Sequence, residues 1–174
     1  MKKMYILLLM IPLFLTSCDE KLLEVKVTGC YFQYEYVNHA WGFNHGGFTI
    51  NPAGEVFKFD KSTAWIFAEN NRLSISTLRK NIEASIKVDT LITRTDIEHY
   101  TQLASIAMSG KLSDPVLAGA DMGERICKII IPDATDSLNS YREVILTENG
   151  DFDQYNLSPE AAVIAEWLSN LRIH

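Results

Sequence analysis

The order in which apolar residues change their spacing limits this chain to a small set of folds. Over 24–37 they alternate, Val25 and Val27 in one phase and Cys30, Phe32, Tyr34 and Tyr36 in the other. That is the pattern of a strand, with a bulge expected at Gly29 where the phase switches. Residues 47–50 and 55–60 form a second alternating pair around the turn sequence Asn51-Pro52-Ala53-Gly54, and 63–68 is expected to continue the meander. The period then lengthens. Ile75, Leu78, Ile82 and Ile86 recur at helical spacing behind a Ser74 cap. Thr95-Asp96-Ile97-Glu98 has the form of a capping box opening a second helix, which Gly110 would end. Residues 125–131 and 141–147 return to alternation, with Cys127, Ile129 and Ile131 opposite Lys128. Ser158-Pro159 starts a last helix lined by Ala161, Ile164, Ala165, Leu168 and Leu171. Strands, two helices, a strand pair and a helix predict an α+β fold, a mainly antiparallel sheet packed on one face by about three helices.

The first residues follow a different rule. Lys2 and Lys3 precede a twelve-residue apolar run, 4–15, interrupted by Pro12. A membrane-spanning helix needs ~20 apolar residues, so the run reads as a secretory signal instead. It ends in Leu15-Thr16-Ser17-Cys18, which resembles the lipobox of bacterial lipoproteins. The resemblance implies that Cys18 is acylated and becomes the first residue of the mature protein. Each buried acyl methylene contributes ~0.8 kcal/mol, and two or more chains hold a protein at a membrane without help from a basic patch. The expected organisation is a signal peptide at 1–17, a lipidated tether at 18–23 and one globular domain at 24–174. The implied location is a Gram-negative cell envelope. Acids after the cysteine resemble the surface-export signals of Bacteroidetes lipoproteins, and Asp19 directly after it resembles an inner-membrane retention signal of enterobacteria, so membrane and side stay open.

Removing 17 of the 174 residues leaves 157, enough for a domain with its own core. Of 16 basic and 22 acidic residues only Lys2 and Lys3 leave with the signal, so the mature formal charge is −8. That sign argues against nucleic acid and against adhesion to anionic lipid, and favours a basic partner if any. Cys30 and Cys127 remain as an even pair on inward strand phases. In an exported protein they read as a candidate disulfide, and otherwise as two buried thiols.

Candidate chemistry concentrates in 38–48, Asn-His-Ala-Trp-Gly-Phe-Asn-His-Gly-Gly-Phe, read as a loop between strands. His39, Trp41, Phe43, His45 and Phe48 make it the candidate binding loop, its glycines allowing close approach and its aromatics offering a stacking platform. It is neither GxGxxG nor a P-loop, so no cofactor is expected. His39 and His45 with Asp121 or Glu124 could hold a metal, but two loop histidines six apart do not fix a geometry, and no metal is expected. A Cys30/His45 nucleophile pair is disfavoured by the inward position of Cys30, and His99 reads as a surface residue. A second loop, 117–124, would complete a recognition edge if it lay beside Trp41. No catalytic residue is assigned. The sequence points to an envelope lipoprotein acting as a non-enzymatic binding or structural module with a protein partner. The alternatives are an immunity or inhibitor protein of the periplasm and a histidine-dependent hydrolase.

Overall fold

The computed structural model describes residues 29–40, 42–60, 64–134 and 140–173. Among these residues the fold is α+β: a nine-stranded, mainly antiparallel sheet with three helices. Strand β1 (Tyr31–Asn38) lies centrally, between β2 (Asn44–Ile50) and β7 (Glu124–Pro132). β2 continues into β3 (Glu55–Asp60) through the expected turn. The turn has a local cause: Asn51 Oδ1 accepts from the backbone N–H of Ala53 and of Glu55, and Gly54 sits at φ 82°. A side chain there would stand 2.3 Å from the Ile92 carbonyl oxygen, so the position requires glycine.

The meander does not continue as expected. Residues 61–63 lie outside the described residues, and 64–68 have no strand character before the short β4 (Arg72–Ser74). Ser74 then caps α1 (Ile75–Glu83), its hydroxyl accepting from the Thr77 N–H at 3.0 Å. Ile86 is not the fourth member of that stripe. It opens β5 (Ile86–Leu91), whose alternating β-branched Ile86, Val88 and Thr90 suit pairing with β3. Helix α2 (Arg94–Ala107) is capped by Thr93, two residues before the expected capping box, with Asp96 as the reciprocal partner. After β6 (Val116–Leu117) and β7, strand β8 (Ser140–Asn149) turns tightly into β9 (Phe152–Tyr155), and α3 (Pro159–Asn170) follows its Ser158 cap. The sheet order is β5-β3-β2-β1-β7-β8-β9-β6, with β4 also on β8. Among the described residues no helix is long and apolar enough to cross a membrane.

Alternation along the strands divides the core in two. Phe32, Phe48, Ile50, Val56, Ile129 and Leu146 point to one face, where Ala104 of α2 and Ala161, Ile164 and Leu168 of α3 close on them. Trp167 stacks on Tyr100 and meets Phe32 edge-on. Each fully buried Leu or Ile contributes ~1.5–3 kcal/mol here. The expected placement of helices on one face describes α2 and α3. Helix α1 packs Leu78, with Ile75 and Ile82, on Tyr31, Ile130 and Tyr141, which point the other way. The second face is therefore covered as well, and this determines what its polar residues become.

Among the described residues, Cys30 and Cys127 are free and buried. Cys127 stands opposite Tyr34, four positions along β1 from Cys30, or ~13 Å at ~3.3 Å per residue. A disulfide spans at most ~7 Å between Cα atoms, so the candidate bridge does not form. The shared inward phase was real, but the register separates the two residues along the strand direction. Burial pushes both thiols up, and Cys127 Sγ lies 3.7 Å from the Ala165 carbonyl and 3.6 Å from the Ser169 hydroxyl.

Candidate functional site

Four adjacent strands bring an ionic cluster together on the α1 side of the sheet. β1 supplies Gln33 and Glu35, β2 His45 and Thr49, β7 Lys128 and β8 Glu143. Register puts Gln33 between Thr49 and Lys128, and a bulge at Leu146 on β8 shifts the pairing so that Lys128 opposes Ile145. Lys128 Nζ lies 2.6 Å from Glu35 Oε1 and 3.0 Å from Glu143 Oε1. Glu35 Oε2 meets His45 Nε2 at 3.0 Å and accepts from Gln33 Nε2 at 2.9 Å, while Thr49 donates to Gln33 at 3.2 Å.

The electrostatics follow from this geometry. Burial alone would raise the Glu35 carboxyl; the Lys128 charge and the hydrogen bonds from His45 and Lys128 outweigh it and hold the group down at about 2. Burial works against the Lys128 ammonium too, yet Glu35 and Glu143 together raise its pKa. Glu148 is shifted oppositely: burial, then the neighbouring Glu124 carboxylate, push it up.

Such a Glu-His-Lys set resembles catalytic hardware, but all three side chains are buried. His45 is 0%, Glu35 2% and Lys128 5% exposed. The His45 ring is covered by Phe59, Trp65 and Phe67, with ring centres 5.0, 5.2 and 4.9 Å away. Residues 65–67 are held there by Asn81 of α1, which donates to the Ile66 carbonyl at 2.8 Å and accepts from the Ile66 N–H at 2.9 Å. Outside the cluster, Phe43 and Phe67 present their rings to each other at 6.3 Å and remain 48% and 45% exposed. His39, also exposed, lies against Phe43 at 5.2 Å. The arrangement is an exposed aromatic surface resting on a buried ionic core.

The candidate binding loop is thereby divided. His39 and Phe43 are exposed at the surface, and Trp41 lies outside the described residues. Residues 44–48 belong to β2 rather than to a loop, so His45 points into the ionic cluster and Phe48 into the opposite core, stacked on Tyr34. Gly46 and Gly47 hid the strand because they carry no side chain to show its alternation. With its Nε2 committed to Glu35 and no surface access, His45 does not meet His39 as a ligand pair. His99 is exposed on α2.

The second loop does come to the same end of the sheet. Tyr36 Oη donates to the Met122 carbonyl at 3.2 Å, and Asn38, which also accepts from the Ala40 N–H, donates to Tyr36 Oη. Gly123, at φ 70°, lets the loop press against Val37 and Asn38. Met122 N–H in turn donates to Asp151 at 2.7 Å. Elsewhere on the α1 side, a cavity of about 280 Å³ opens between Ile75, Leu78 and Ile82 of the helix and Tyr31 and Tyr141 of the sheet, with Arg79 and Glu83 also lining it.

Sequence reasoning overlooked Glu35, Lys128, Trp65, Phe67 and Asn81. Their signal was faint: Glu35 and Lys128 alternate with apolar residues as a solvated strand face would. Compared with known proteins, the chain matches no family model and no curated protein significantly.

Proposed function

We propose that the protein is an envelope lipoprotein, anchored through Cys18, whose domain binds a partner protein through the aromatic surface of Phe43 and Phe67. The observation that carries the binding assignment is the half exposure of two large apolar rings on a support fixed by ring contacts and the Asn81 clamp. Rigid aromatic groups supply contact area at low entropic cost and are enriched at interface centres. The lipobox-like Leu15-Thr16-Ser17-Cys18 supports the anchor, and the mature charge of −8 favours a partner with a basic face. The burial of His45 and Lys128 supports a binding role over the hydrolase alternative.

The test is capture from envelope extract by the immobilised full chain, against Phe43→Ala and Phe67→Ala. Central aromatic truncations cost ~2 kcal/mol or more at such surfaces, so each variant is expected to lose at least ~30-fold in affinity for a specific partner. Binding that is unchanged in both variants would refute the assignment of the surface. A captured basic toxin or hydrolase, inhibited on binding, would identify the inhibitor form of the same reading.

A further inference from the structure

We propose that two copies of the chain pair antiparallel through the β5 edge, about a two-fold axis at Val88, so that Lys87 of each copy faces Asp89 of the other. Strand β5 ends the sheet: among the described residues it pairs with β3 and carries no strand on its other side. Six residues long, without glycine or proline, it leaves a row of backbone groups open to pairing. It is also unusually apolar for an edge. Ile86 is 74% and Leu91 71% exposed, while Val88 packs toward the α2/α3 core.

The sequence of the strand, Ile-Lys-Val-Asp-Thr-Leu, selects one register. A two-fold axis perpendicular to the sheet keeps the faces of both copies continuous, so each residue must meet one of its own alternation phase. Centring the pair on residue 87 sets Lys87 against itself, and centring on 89 sets Asp89 against itself. Centring on Val88 places Lys87 opposite Asp89 twice, Val88 against Val88, and the exposed Ile86 opposite Thr90 twice. Opposite charges directly across a ladder stabilise it and like charges destabilise it. Lys87 already bonds Glu55 of its own chain, and its ammonium has further N–H donors for an Asp89 carboxylate across the interface.

Sedimentation velocity of the full chain in mild detergent, over a concentration series, tests this. The expected result is a dimer that grows with concentration. Asp89→Lys, a change at an exposed position, is expected to weaken it roughly tenfold or more, because two attractive pairs become two repulsive ones. Lys87→Asp combined with Asp89→Lys restores opposite charges in this register and is expected to recover dimerisation to within about threefold. Near-UV circular dichroism verifies the fold of each variant. A chain that stays monomeric throughout, or a dimer indifferent to Asp89→Lys, would overturn the proposal.

Discussion

Burial alone would raise the Glu35 carboxyl, and it is held low because Lys128 and His45 converge on its two oxygens. Its carboxyl titrates near 4.5 in an ordinary setting and at about 2 in the fold. The folded state therefore gains stability from this group above about pH 4.5 and loses it as pH falls toward 2. The amount is on the order of 3 kcal/mol. Lys128 acts in the other direction: its raised pKa confines its own loss of charge to strongly alkaline solution. Urea unfolding at pH 7, 4 and 2.5 is expected to show that acid loss. In Glu35→Gln the protein is expected to be ~3 kcal/mol weaker already at pH 7, because a buried pair loses one partner, and its acid limb flattens. An unchanged acid limb in Glu35→Gln would show that other carboxylates govern it. Nothing in the local sequence announced this role, since Gln33, Glu35 and Lys128 take positions that a one-sided sheet leaves to water.

At the scale of elements, the features that were legible are those with local causes. The 51–54 turn, the Ser74 cap and the Ser158-Pro159 start of α3 each depend on neighbouring residues, and all stand where the sequence puts them. The turn yields a direct test: Gly54→Ala is expected to destabilise by more than ~1 kcal/mol, since its φ is left-handed and a Cβ meets the Ile92 carbonyl, whereas Ala53→Gly costs a few tenths. Equal midpoints in thermal unfolding would contradict that account of the turn. What escaped the sequence has non-local causes. β5 forms because β3 offers an edge, and Ile86 fits a helical stripe equally well until that edge is known. The 65–67 strap takes its place from Asn81, fifteen residues after Ile66. The candidate loop divides: its outer residues His39 and Phe43 reach the surface, while His45 and Phe48 diverge to opposite faces once β2 extends to Asn44.

At the scale of the whole molecule, the sheet has helices on both sides, and its exposed apolar side chains include those of the aromatic surface of Phe43 and Phe67, the β5 edge, and the β6/β9 end with Val116, Leu117 and Phe152. On the reading proposed above these surfaces contact other proteins, in keeping with the acidic balance of the chain. An acyl anchor at Cys18 would hold those surfaces at a membrane and raise their local concentration. The measurement that tests this most directly is mass spectrometry of the mature N-terminus from envelope-fractionated cells. The account predicts that the chain begins at Cys18 carrying acyl groups, and that Cys18→Ser releases it from the membrane fraction. A mature chain starting at another residue, or an unmodified Cys18 thiol, would contradict it.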